Sequence, residues 1–167
     1  MRELTWSVIF VMLAFTAKSQ TDKVLSAEEI FKLIPDKVSG FSQTRDSQAK
    51  VITLGELRYA MAEKRFSAKK QQSVKILLFD YKEASIMYNQ ATRKFNTFTA
   101  VESDSLILRS VLMKDCTGWE SYNIHRRNSQ ILLGICNRFF LSAEGTNVDL
   151  EALKKVILSF NLESFPK

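Results

Sequence analysis

The spacing of apolar positions divides the chain into segments of different period. Ser26-Ala27-Glu28-Glu29 has capping-box spacing, a serine followed three residues later by a glutamate, and opens an apolar stripe at Ile30, Leu33 and Ile34. Pro35 ends that predicted helix, because it brings no backbone N–H and clashes with the preceding turn. The polar run DKVSGFSQTRDSQAK (36–50) reads as a connecting segment over the surface. From Val51 the period becomes two, and an extended stretch runs to about Phe66, with Gly55 read as a bulge or kink inside it. SAKKQQ (67–72) is a polar hairpin loop. In SVKILLFDY (73–81), Val74, Ile76 and Leu78 alternate with Leu77 and Phe79, which predicts a strand covered on both faces.

KEASIMYNQATRKF (82–95) has loosely helical spacing and is read as a second helix. After a loop with Glu102 and Asp104, strands are predicted over 106–114, 119–125, 129–135 and 138–145, with turns at Asp115–Gly118, Arg126–Asn128 and Cys136-Asn137. A final amphipathic helix presents Leu150, Leu153, Val156, Ile157 and Phe160. Strands joined by tight turns are antiparallel, because parallel neighbours need long crossovers. The expectation is an α+β domain: an antiparallel sheet of about six strands, a hairpin plus a four-strand meander, packed with three helices.

Several residue groups fall at junctions of this plan. They are Gly40-Phe41 after the proline-terminated helix, Asp80-Tyr81 at a strand end, Trp119-Glu120 with Tyr122, Asn137-Arg138-Phe139-Phe140-Leu141, and Glu144-Gly145 before the last helix. Together they resemble a scattered group of small exported bacterial proteins of unknown function, and the order of elements is similar to that of the Mog1/PsbP-like α/β/α sandwiches. The resemblance implies a fold and an exported setting, and it brings no active-site residues. Where such proteins often place glycine before the Asn-Arg pair, this chain has Cys136, a residue that a turn with positive φ would strain.

The first residues are an address and not part of the fold. Met1-Arg2-Glu3 is a short charged start, Leu4 to Ala17 is apolar, and Ala17 and Ser19 are small residues at the positions that a signal peptidase reads. Residues 1–19 are therefore expected to be a signal peptide, and 20–167 a single domain. The apolar stretch is shorter than the roughly 20 residues that span a bilayer, and no later segment is long and apolar enough. The expected location is exported, periplasmic or secreted. The whole chain carries a formal net charge of +6, and loss of the leader removes one positive charge from that balance. So modest an excess is compatible with anionic lipid or polysaccharide as well as with a plain solvated surface. Nucleic acid is not expected as a partner of an exported chain.

Candidate chemistry is sparse. One histidine and two cysteines cannot form a closed zinc site, and there is no glycine-rich phosphate cradle and no Gly-x-Ser-x-Gly elbow. His125 and either cysteine are predicted at opposite ends of strands, too far apart for a nucleophile and its base. Glu102 with Asp104, or Asp115 with Glu120, are read as ordinary loop and strand-end charges. No catalytic residue, metal or cofactor is assigned. Cys116 and Cys136 are expected at the same end of the meander, and an exporting route with an even cysteine count favours a disulfide. A hairpin folded about Arg127 and Asn128 would instead set Cys136 opposite Trp119, so the bridge stays open at this point. Lys69, Lys70, Arg126 and Arg127 fall at hairpin tips, where they could touch an anionic surface.

The expected function is that of an exported, non-catalytic binding or accessory protein of the cell envelope, whose partner is an envelope protein, anionic lipid or polysaccharide. The alternatives are a carrier of a small apolar ligand between sheet and helix, which 12 phenylalanines would suit, and a hydrolase or thiol enzyme. Intact-mass measurement on exported protein should find a chain that begins at Gln20; retention of Met1 to Ser19 would refute the leader.

Overall fold

The computed structural model describes residues 23–38, 40–97, 100–114 and 116–167. The predicted leader and Asp115 lie outside the described residues. Helix α1 (Ala27–Leu33) starts on the expected capping box: the Ser26 hydroxyl accepts from Glu29 N at 3.3 Å, and the Glu29 carboxylate accepts from Ser26 N at 2.8 Å. Then come β1 (Ser42–Gln43), β2 (Gln48–Leu54), β3 (Leu57–Ala68), β4 (Gln72–Glu83), α2 (Ser85–Thr92), β5 (Ala100–Glu102), β6 (Leu106–Met113), β7 (Cys116–Asn123), β8 (Asn128–Ile135), β9 (Phe139–Thr146), α3 (Leu150–Leu158) and a short 3-10 turn, Leu162–Ser164.

The strands form one antiparallel sheet in the order β1-β3-β4-β9-β8-β7-β6-β5, with β1 and β2 end to end on the same edge of β3. It has nine strands, not six. Three short or hidden pieces account for the difference. The stretch read as one extended segment is a hairpin, because Leu54 pairs with Leu57 around Gly55, whose φ of 60° is a left-handed value that glycine adopts without strain. The two-residue β1 and the three-residue β5 are exposed throughout and carry no burial signal. Two meanders result, β2 to β4 and β5 to β9. The crossover through α2 carries the chain to the far edge, and β9 returns to pair with β4, Ser73 with Thr146 through Asp80 with Phe139.

Register gives the sheet two distinct faces. On the inner face the row Ala62, Leu78, Leu141, Leu133, Gly118 crosses five strands, and its neighbours form the main core with Ile30 of α1 and with Leu153, Val156 and Ile157 of α3. At Gly118 an added Cβ would lie 1.8 Å from the Leu132 carbonyl oxygen, so no side chain fits there. The outer face changes character along the strands. Near the α2 end Met61, Phe79 and Phe140 share a row, and Phe79 and Phe140 pack on the small cluster of Tyr81, Ala84 and Tyr88. Near the other end two successive rows are polar: Arg65, Lys75, Glu144, Gln130, Ser121, and then Ser67, Ser73, Thr146, Asn128, Asn123. A polar half needs no cover, which is why one eight-residue helix suffices on this side. Leu77 and Phe79 are accordingly half-buried, not fully covered.

Asp80, Arg138, Lys64 and Glu120 are charged side chains that lie buried in the fold. Asp80 is 0% and Arg138 3% exposed. Arg138 Nε donates to Asp80 Oδ1 and Nη2 to Oδ2, each at 2.7 Å, while Leu25 N donates to Oδ2 at 2.8 Å and Lys82 N to Oδ1 at 3.0 Å. Arg138 Nη2 also donates to the Lys23 carbonyl at 3.0 Å, so the pair fastens the segment before α1 to the sheet. Lys64 is buried and donates to the Ile34 carbonyl and to Asp36 Oδ1, both at 2.6 Å, with Nζ 4.2 Å from the centre of the Phe31 ring. It thereby caps the C-terminus of α1, and its hydrogen bond and charge hold the Asp36 carboxyl below the usual carboxylate range. Glu120 Oε1 accepts from Arg109 Nε at 2.5 Å; Lys154 Nζ stands 3.2 Å from Oε2 but out of line for a hydrogen bond.

Removing one partner of a buried pair leaves the other charge uncompensated, at a cost of about 3–5 kcal/mol. Urea unfolding of Asp80→Ala should show a loss of about that size, and the double variant Asp80→Leu/Arg138→Met should recover much of it. Equal loss in both would show that packing, and not charge, carries the site.

Candidate functional site

The residues picked out by charge and by sulfur gather at opposite ends of the sheet. At one end lie the turns β3–β4 and β7–β8. Lys69 and Lys70 occupy the first, where Lys70 and Gln71 have φ of 63° and 59°. Arg126 and Arg127 occupy the second, where Arg127 has φ 52° and the Arg126 N–H donates to Asn123 Oδ1 at 2.8 Å. All four are exposed. Between the tips lie β4, β9 and β8, in register at Ser73, Thr146 and Asn128, so the tips stand three strand spacings apart, roughly 14 Å. Neighbouring Lys75 and Arg65 are neutralised by Glu144 and Glu63. The four tip residues make no ion pair with any described residue. Asp149, which follows β9 between the tips, serves as the N-cap of α3, its Oδ1 accepting from Ala152 N at 2.7 Å, and Asp104 lies farther off in the β5–β6 turn at the same end.

At the other end lie the turns β6–β7 and β8–β9, which do project together as the alternation of turns requires. Their details differ from expectation. Met113 pairs with Cys116, and Cys116 is therefore the first residue of β7, not part of a turn. The β7–β8 hairpin folds about His125 and Arg126, since Asn123 pairs with Asn128, and Trp119 sits opposite Leu132, not Cys136. Carrying the ladder two steps past Gly118–Leu133 sets Cys116 opposite Ile135, with Cys136 the next residue. Sequence reasoning missed this because positive φ at a lysine, 46° at Lys114, has no signature in the chain.

No disulfide joins the two cysteines in this structure. They nevertheless line one open cleft of about 610 Å³, together with Lys114, Ile135 and the chain-terminal residues Asn161, Leu162 and Glu163. Cys116 is 8% exposed and its Sγ donates to the Lys114 carbonyl at 3.6 Å, whereas Cys136 is exposed. Lys114 Nζ donates to the Leu158 and Phe160 carbonyls at 3.2 and 2.9 Å, which closes the C-terminus of α3 beside the cleft.

His125 lies exposed in the β7–β8 turn, one eight-residue strand away from the cysteine end, on the order of 27 Å. The Glu102 and Asp104 side chains are exposed at the β5–β6 hairpin, and Glu120 is committed to Arg109 and Lys154. Among the described residues no group of three or more His, Cys, Asp or Glu side chains could hold a metal ion.

Arg138 N donates to the Ile135 carbonyl at 3.1 Å and both intervening residues are left-handed, Cys136 at φ 53° and Asn137 at 51°, which is a type I′ turn. Asparagine tolerates that conformation and cysteine less so, at about 1–2 kcal/mol for an ordinary side chain. Cys136→Asn should hold or raise stability in urea, and β-branched Cys136→Val should lower it by about 1–2 kcal/mol; the reverse order would contradict the turn assignment.

No protein-family model matches the sequence, no curated protein matches it significantly, and no solved structure matches the fold significantly.

Proposed function

We propose that the protein is an exported, non-catalytic binding module of the cell envelope that docks through its two basic hairpin tips on an anionic surface. The observation that carries this reading is the placement of Lys69, Lys70, Arg126 and Arg127: two like-charged pairs, exposed, on one end of a rigid sheet, without a described counter-charge in contact. Like charges held side by side repel, and an anionic surface relieves that repulsion. Two tips on one sheet end, roughly 14 Å apart, suit a planar array of lipid headgroups better than a single narrow polymer chain. The predicted leader and the resemblance to small exported proteins are the sequence's contribution.

Among the described residues no helix is long and apolar enough to cross a membrane, so attachment of this kind would be peripheral. The carrier alternative has less support. The layer between the sheet and α1 with α3 is filled by Phe66, Phe139, Phe160, Ile30 and their neighbours, and the clefts that do exist open to solvent.

Each basic residue near an anionic leaflet contributes about 1 kcal/mol. Cosedimentation with vesicles rich in phosphatidylglycerol should succeed where phosphatidylcholine vesicles fail. It should weaken with salt, and it should fall by more than roughly 30-fold when either pair is reversed, as Lys69→Glu/Lys70→Glu or Arg126→Glu/Arg127→Glu. Binding that survives both reversals, or binding to an anionic polysaccharide alone, would overturn the lipid reading.

A further inference from the structure

The thiol cleft lies at the far end of the sheet from the basic tips and has its own chemistry. Cys136 stands exposed on the β8–β9 turn, outside the last ladder pair and so released from the strict alternation of side chains. Cys116 is buried and lines the same cleft. Carried past its last pair, the β7–β8 ladder sets Cys116 opposite Ile135, the residue directly before Cys136, so the two thiols belong to adjacent strand ends. The Tyr88 phenol responds to both sulfurs: burial raises its pKa first, Cys116 adds to the rise, the Thr92 hydrogen bond opposes it, and Cys136 adds a smaller push upward. A volume of about 610 Å³ falls within the range of small-molecule sites.

We infer that this cleft is a thiol-exchange site for small-molecule disulfides, in which exposed Cys136 attacks and buried Cys116 resolves. The Cys136 thiol loses its proton to solvent, and the thiolate attacks one sulfur of the substrate disulfide. A mixed disulfide forms at Cys136 and the other half leaves as a thiolate. Cys116, deprotonated in its turn, attacks Cys136 Sγ and expels the second half. The protein is oxidised to a Cys116–Cys136 disulfide, and the substrate is reduced to two thiols that take up the two protons. Exposure sets the order, because a substrate disulfide can reach Cys136 directly whereas Cys116 is 8% exposed. None of this depends on docking at the basic tips.

The test is incubation of the reduced protein with excess oxidised glutathione, followed by intact-mass analysis and peptide mapping. The wild-type protein should become lighter by a pair of hydrogen atoms, with Cys116 and Cys136 joined. Cys116→Ser should accumulate a glutathione adduct on Cys136, and Cys136→Ser should stay unmodified while folded yet react once denatured. Should either variant fold poorly, early time points of the wild type decide instead: the first adduct must map to Cys136. An adduct that maps first to Cys116, or a wild-type protein that stops at the adduct without bridging, would overturn the assignment.

Discussion

The Asp80–Arg138 ion pair is the contact at which distant parts of the chain meet. A carboxylate with 0% exposure is tolerable only if its oxygens are fully engaged, and Asp80 receives two hydrogen bonds from Arg138 and one each from Leu25 and Lys82. Its position is as important as its chemistry. Asp80 lies near the end of β4 and Arg138 immediately before β9, so the pair sits where the two meanders meet, and the Lys23 carbonyl brings the N-terminal segment to the same point. Val24 N adds a hydrogen bond to Glu83 at 2.9 Å. Three parts of the chain distant in sequence are therefore fixed by one cluster of charge.

The same device recurs where helices meet the sheet. Lys64 from β3 takes the terminal carbonyl of α1, and Lys114 from the β6–β7 turn takes carbonyls at the end of α3. In each case a lysine satisfies groups that a helix end leaves without partners and places positive charge at the negative end of the helix dipole. Apolar contact supplies most of the attraction between layers, and these lysines decide where along the sheet each helix stops.

Much of this was legible in the chain, for reasons that can be named. The Ser26–Glu29 box, the alternation in β4, the β6–β9 meander and the apolar stripe of α3 are local patterns repeated over several residues. What was not legible depends on partners remote in sequence or on single backbone angles. Gly55 suits a bulge and a hairpin turn equally, and only pairing with β3 distinguishes them. Lys64 and Glu120 fall in phase with the inner-face residues Ala62 and Gly118, but their charge reads as solvent-facing because Asp36 and Lys154 reach them only through α1 and α3. Paired like charges in a turn made the basic tips visible. The thiol cleft was half visible, since two cysteines announced themselves but Asn161 to Glu163 arrive only through packing of the chain's end.

The seam between β4 and β9 has a consequence for the chain before it is folded. The second neighbour of β4 is β9, which is remote in sequence, so until β9 arrives the run Val74 to Phe79, rich in β-branched and aromatic residues, is an open strand edge. Such an edge is an aggregation hazard unless charges interrupt or bound it. Lys75 lies within that run and Asp80 directly after it, and both are later neutralised from the β9 side, Lys75 by Glu144 and Asp80 by Arg138. The charges that protect the waiting edge are thus those that the arriving strand consumes.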